Sequence, residues 1–385
     1  MKQSERLMSL DALRGFDMLF IMGFASLVVA VCGLWPSAVT DAAAASMSHV
    51  AWDGFAHHDT IFPLFLFIAG VSFPYSVAKQ RAGGMSEGRI YAKIVRRGLT
   101  LVVLGMVYNG LFKLDFENLR IASVLGRIGL AWSIAAVLYL NFGVKTRAAI
   151  AVAVLAGYGA LSALVAAPDA AGAGPLTFEG NLAGYIDRQF LPGKLIYGSF
   201  DPEGLLSTVP AVVTAMLGMF TGEFVRRSDI RGGRKTLWMA AAAAALLAAG
   251  LAFSGVLPVN KKLWSSTFVC VVGAYSLGMF ALFYYLIDVR GWRRWTLVYK
   301  WNYYSERYTT TSNDTSLRTG RLEPYYMSDL SLERSFALRW ADLSLKGVVR
   351  NLFNVEYVTV LSRPMPRLNY EIFLDIRPKF HTRKR

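Results

Sequence analysis

The apolar positions of this chain arrive in long blocks, without the strict alternation or narrow stripes of water-soluble elements. A helix crossing a hydrocarbon core of about 30 Å needs about 20 mostly apolar residues, each adding about 1.5 Å. Such blocks run from Gly15 to Leu34, Ile61 to Ala78, Leu99 to Phe112 and Ile121 to Phe142. Four more run from Ala148 to Ala167, Leu205 to Val225, Thr236 to Val256 and Ser266 to Ile287. The third is short and is expected to begin inside the basic stretch before it. The first, followed by AAAAS from Ala42, has the outline of a secretory leader. It is too long for one, and Glu5 and Asp11 spoil the basic region, so a retained helix is expected.

The connections test this count. Lys2, Arg6 and Arg14 precede the first block, and Lys79, Arg81, Arg89, Lys93, Arg96 and Arg97 separate the second from the third, against a single Glu87. Lys145 and Arg147 follow the fourth block, Arg226, Arg227, Arg231, Arg234 and Lys235 the sixth, and Arg290, Arg293 and Arg294 the eighth. Every second connection is basic, as cytoplasmic loops are. The expected fold is an α-helical polytopic membrane protein of about eight spans in a bacterial inner membrane, with both termini cytoplasmic. Composition agrees: only 17% of the 385 residues are charged, below the roughly 25% of soluble domains. A net charge of +15 would fit a nucleic-acid binder, but in the helical part the basic residues concentrate in alternate loops, and no nucleic-acid partner is expected. Cys32 and Cys270 both lie in apolar blocks, which excludes a disulfide framework and a cysteine zinc site.

The pattern changes near Leu297. Short runs rich in Tyr, Thr and Val follow: VYKWNYYSERYTTT, SLERSFALRW, LSLKGVVRNLFN and NYEIFLDIRPKF. Their period-two alternation predicts strands, with TTTSNDTSLRTG as a polar loop among them. Two domains are therefore expected, 1–297 helical and 298–385 a short antiparallel β tail. Four strands cannot close a membrane barrel, whose smallest form has about eight.

Three of the four histidines, His49, His57 and His58, fall within ten residues, beside Asp59. Imidazole can serve as base, nucleophile or metal ligand near neutral pH, and the plain alternative is a polar loop facing water. Adjacent histidines rarely converge on one ion, so no metal is expected. Asp11, Arg14 and Asp17 recur every three residues on one face at the entry to the first block. Arg127, seven residues beyond Arg120, lies inside the fourth block, where a guanidinium needs a carboxylate partner such as Asp17 or Asp59, or an anionic ligand.

SLDALRGFDMLFIMG from Ser9 and HVAWDGFAHHDTIFPLFLFIAG from His49 resemble two consecutive blocks of the heparan-alpha-glucosaminide N-acetyltransferase family. RIASVLGRIGLAW from Arg120, GYIDRQFLPGKLIYGSFDPEGLLSTVPAV from Gly184 and LPVNKKLWSSTFV from Leu257 resemble three more, in the same order. The resemblance covers about residues 4–297. It implies transfer of an acetyl group from cytosolic acetyl-CoA to an amino sugar or glycan on the far side of the membrane. His49 matches the family's active-site histidine, with Asp59 placed to orient it. Arg127, Asn260 and Lys261 lie in matching blocks as candidate contacts to cofactor phosphates or substrate. Trp52 and Trp264 are expected in the interfacial aromatic belt. The partners implied are the lipid bilayer, the acceptor and further copies of the chain in a homo-oligomer.

The chain departs from the family at Ala25, where an asparagine is expected, and lacks the last helices with their Gly-x-Asn motif. VRNLFNVEYVTVLSRPMPRLNYEIFLDIRPKF resembles instead the closing strands of a TonB-dependent outer-membrane receptor. The simplest account of that junction is a fusion of two unrelated reading frames, genomic or an assembly artefact, which would leave an inactive chimera as one outcome. A non-enzymatic transporter using the same polar stripe is the other alternative.

Overall fold

Helices follow one another from Met8 to Val289 in the computed structural model, which describes residues 7–292, 295–308, 321–338, 340–359, 363 and 365–379. Contacts divide the chain into two units, residues 1–290 and 291–385. The first unit is a polytopic helical membrane domain.

Among the described residues, seven helical segments are long and apolar enough to cross a membrane. The first joins α1 (Met8–Leu19) to α2 (Ala25–Gly33) through a π-turn at Phe20–Phe24, where Gly23 takes φ +99°, a conformation favouring a residue without Cβ. A short α3 (Ala38–Ala45) and a 3-10 turn (His57–Thr60) lead into α4 (Ile61–Ala82). The expected third span begins inside the basic stretch, as its short apolar block suggested. It is α5 (Glu87–Tyr108), so the basic stretch with Arg89, Lys93, Arg96 and Arg97 belongs to the helix and keeps it out of the apolar set. The remaining helices are α6 (Val124–Asn141), α7 (Val144–Leu164), the short α8 (Leu182–Phe190), α9 (Leu205–Arg226), α10 (Gly232–Ala252) and α11 (Ser266–Phe283).

The centre of the bundle is the α4–α9 pair, the most buried of the spans. Their backbones touch: a Cβ on Gly70 would lie 2.2 Å from the carbonyl oxygen of Ala215, and one on Gly218 would lie 2.1 Å from that of Phe67. Helices in lipid gain no hydrophobic drive from association, so such small residues let dispersion hold them together. Around the pair, Leu66, Phe73, Trp132, Met216, Phe268 and Val272 form one apolar core. Leu99, Val103, Leu130 and Ile134 stay exposed, as lipid-facing side chains do. At one end of the bundle the segment between α7 and α9 folds back as a cap. It is pinned by bridges of Ala166 with Asn181 and of Arg120 with Gly193.

The second unit is an antiparallel sheet in the order β1 (Trp295–Tyr304), β4 (Tyr325–Ala337), β5 (Ala341–Arg350), β6 (Asn369–Pro378). A two-residue pair, β2 (Arg307–Tyr308) with β3 (Arg321–Leu322), stands beside it in sequence. The strand runs read from the sequence thus pair as a sheet, with β1 starting at Trp295, ahead of Leu297. The loop TTTSNDTSLRTG lies outside the described residues.

Candidate active site

Two loops meet at the end of the bundle where α4 begins. The first runs from α3 to the 3-10 turn and carries His49, His57, His58 and Asp59; the second, before α11, carries Asn260 and Lys261. The first loop is tied down at Gly54, whose N–H donates to Val259 of the second over 2.8 Å. Asn260, fully buried, braces the second loop: its side-chain amide donates to Asp53 over 3.0 Å and its side-chain oxygen accepts from the Leu263 N–H over 2.9 Å. With Asn260 turned inward, Lys261 reaches across the gap between the loops.

The result is a compact cluster. His49 Nδ1 lies 2.7 Å from Asp59 Oδ1, and Lys261 Nζ lies 3.2 Å from the same oxygen and 3.0 Å from the imidazole nitrogen. Asp59 Oδ2 accepts from the N–H groups of Ala56 and, more loosely, Val50. Asp59 is 2% exposed, so these donors replace the water it has lost, while the His49 side chain is 54% exposed. Burial pushes the Lys261 ammonium below the usual lysine range, and Asp59 pulls the other way. An ionised carboxylate can only accept, so the 2.7 Å contact favours the tautomer with the proton on Nδ1. That leaves the Nε2 lone pair as the reactive position.

The neighbouring histidines are placed differently. His57 packs against the Phe20 ring, and its Nε2 lies 3.0 Å from the Tyr275 hydroxyl. The His58 ring lies 4.5 Å from that of His49, with its backbone N–H held by Ser46 over 3.0 Å. Asp17, one turn before Phe20 on α1, is 1% exposed, and its Oδ2 has no hydrogen-bond partner among the described residues.

Arg127 belongs to a second network beneath the cap. The helix α6 starts at Val124, with the Ser123 hydroxyl accepting from the Gly126 N–H over 2.9 Å. Arg127 therefore sits in the first turn, shallower than its sequence position suggested, and Arg120 precedes the helix and shares no face with it. The Arg127 guanidinium is 2% exposed and bonds to the Pro202 carbonyl and the hydroxyls of Ser207 and Thr208, over the Trp264 ring. It pairs with neither Asp17 nor Asp59. Trp264, expected in the interfacial belt, is buried at 1% exposure as the floor of this arginine, while Trp52 is half-buried and donates to Leu176 of the cap.

Arg120 forks onto Asp201, with both contacts at 2.7 Å, and also bonds Glu203. Burial works against its charge, but the two carboxylates outweigh that and hold it above the usual arginine range. Asp187 accepts from the Leu205 N–H over 2.9 Å at the start of α9, and burial pushes its carboxyl up to about 7. Sequence reading passed over these acids; the one available signal was SFDPEG directly ahead of an apolar helix, where carboxylates favour the N-terminus.

At the other end of α4 a cavity of about 380 Å³ opens between α4, α5 and α6. Ser72, Ser76 and Gln80 line one side and Lys93, Arg96 and Arg97 the other, with Arg97 stacked 4.3 Å from the Trp132 ring. Among the described residues no carboxylate pairs with these three cations. From Asp59 to Ser76 the axis of α4 covers about 25 Å.

A family model described as heparan-alpha-glucosaminide N-acetyltransferase, catalytic, matches residues 6–255. The chain is 28% identical over 300 residues to the human protein named heparan-alpha-glucosaminide N-acetyltransferase, a match covering 63% of this chain and 45% of the relative. It is 26% identical over 297 residues to the mouse protein of the same name, with the same coverage. The match thus spans less than half the length of these curated relatives.

Proposed function

Because the chain belongs to the heparan-alpha-glucosaminide N-acetyltransferase family, we propose that its helical unit transfers an acetyl group from acetyl-CoA to the amine of a sugar, with His49 at the point of transfer. The observation that carries this reading is the His49–Asp59–Lys261 cluster, in which a buried carboxylate orients an open imidazole. Asp59 holds the Nδ1 proton and stabilises the positive charge that grows on the ring during transfer. Lys261 offsets the Asp59 charge at rest and is placed to meet the thioester carbonyl as negative charge develops there. Asn260 positions Lys261, and Arg127 braces the start of α9 beneath the cap.

The donor is a substrate. Its phosphates need cations without carboxylate partners, and among the described residues Lys93, Arg96 and Arg97 meet that requirement at the far end of α4. The distance along α4 suits a donor whose charged end stays at that cavity while its thioester reaches toward His49. The basic connections support a cytoplasmic position for this end in a bacterial inner membrane and an outer position for the His49 end. The acceptor then meets the protein at the open, water-facing side of His49.

The test uses the full chain in phospholipid vesicles, acetyl-labelled acetyl-CoA and glucosamine as acceptor. The wild-type chain should leave labelled acetyl on the amine, which a transporter would not, and His49→Ala should abolish transfer with unfolding behaviour unchanged. Near-normal turnover by His49→Ala would reduce His49 to a loop histidine and overturn the mechanism.

A further inference from the structure

Acetyl transfer to an amine sets two tasks at the site. The acetyl group must be received or activated, and the acceptor amine must lose a proton. One imidazole cannot do both at once, because a ring nitrogen bonded to an acyl group has no lone pair left for a proton. His49 has Nδ1 committed to Asp59, which leaves only Nε2.

A second imidazole stands beside it. The ring centroids of His49 and His58 are 4.5 Å apart, with the rings tilted by 57°. The backbone around His58 is fixed from both sides, by its own N–H to Ser46 and by the buried Asp59 that follows it. Its ring is not fixed by any such bond: Nδ1 of His58 is buried and has no hydrogen-bond partner among the described residues. His57 Nδ1 is likewise buried without a partner among the described residues, but its ring is held against Phe20 and Tyr275 and not against His49. A buried polar atom without a partner needs a reason, and a group that must exchange a proton during turnover supplies one.

We propose that His58 is the general base that deprotonates the acceptor amine while His49 handles the acetyl group; this rests on the acetyltransferase reading. In the first stage His49 Nε2 bonds the acetyl carbon, and the carbon–sulfur bond breaks with its electron pair leaving on sulfur. In the second stage the amine nitrogen bonds the acetyl carbon, and the carbon–Nε2 bond breaks with its pair returning to His49. The amine proton passes to the free lone pair of His58 and from there to the thiolate or to water. The products are an amide, a thiol or thiolate with the matching proton, and His49 as it began.

The test compares two nucleophiles on the full chain in phospholipid vesicles with labelled acetyl-CoA. Glucosamine is largely protonated at neutral pH and needs a base, whereas hydroxylamine is already unprotonated. His58→Gln, which keeps bulk and polarity without basicity, should slow transfer to glucosamine by about a hundredfold or more. Its transfer to hydroxylamine should stay close to wild type, and raising the pH should restore part of the glucosamine rate. His58→Ala should behave alike, with added imidazole restoring transfer, and unfolding curves confirm that both variants fold. Equal losses on both nucleophiles would show a merely structural residue, and an unchanged glucosamine rate a bystander; either overturns the proposal. A wild-type chain inactive on both nucleophiles, with acetyl-CoA present, overturns the acetyltransferase reading and this proposal with it.

Discussion

Gly218→Ala should be among the most damaging single-methyl additions in the helical unit. The new Cβ would lie 2.1 Å from the Phe67 carbonyl oxygen and 3.0 Å from Gly70 Cα, both backbone atoms of the facing helix. No side chain can rotate away, so α4 and α9 must separate along their contact. Overpacking costs about 1–3 kcal/mol where neighbours can adjust, and a backbone obstacle places this case at about 3 kcal/mol, on the order of a hundredfold in the folding equilibrium. The internal control is Gly157→Ala on α7, where nothing lies within 4 Å of the new Cβ. There the helix should gain roughly 0.5–1 kcal/mol from lower backbone entropy in the unfolded chain. Both variants would be unfolded by denaturant in one detergent and assayed for acetyl transfer in vesicles. Turnover should fall in Gly218→Ala as well, since the 3-10 turn with Asp59 leads directly into α4 and α9 carries the Ser207 and Thr208 contacts to Arg127. A Gly218→Ala protein as stable as its parent, or a Gly157→Ala protein equally damaged, would refute the contact between these backbones.

Other predictions follow from the cap and the loops. Arg120→Met leaves Asp201 buried without its fork and should cost about 3–5 kcal/mol, measured by denaturant unfolding, with Asp201→Asn in the same chain recovering part of it. Asp187 has its folded-state carboxyl raised to about 7 by burial, so the native state holds a proton that the unfolded chain releases. Its contribution is present at low pH and is lost as pH rises from about 4 toward about 7, at up to about 1.4 kcal/mol per pH unit. Stability curves of Asp187→Asn should lack that slope, and an unchanged slope would assign it to another group. For topology, cysteines placed by Ser86→Cys and by Glu179→Cys, with Cys32 and Cys270 replaced by Ala, should respond oppositely to an impermeant thiol reagent in intact cells. Labelling of both or neither would overturn the inferred sidedness.

Much of the helical unit was legible because lipid imposes a one-dimensional rule. Backbone groups in hydrocarbon must bond within their own helix, so a span shows as an uninterrupted apolar run of sufficient length. In α5 the basic N-terminal half continues the helix beyond a short apolar run, as the shortness of that run implied. His49 and Asp59 were legible through local spacing and a specific motif. The partners of Arg127 were not: the sequence suggested a carboxylate or an anionic ligand, and within the protein the fold supplies a carbonyl, two hydroxyls and the face of Trp264.

Taken by itself, the sequence determined the spans, the alternation of basic loops, the strand-forming tail and the histidine-rich motif, all of which depend on composition and neighbours along the chain. Only the tertiary structure decided what those residues meet. Lys261 is 212 positions from His49 and reaches it because Asn260, locked between Asp53 and Leu263, turns the loop toward Asp59. His58 stands beside His49 because successive side chains of a 3-10 turn diverge by about 120°, which sends His57 toward Phe20 and Tyr275 instead. Such contacts arise from loop closure and helix packing, where an ångström of backbone position decides whether two groups bond, and no period along the chain records that distance.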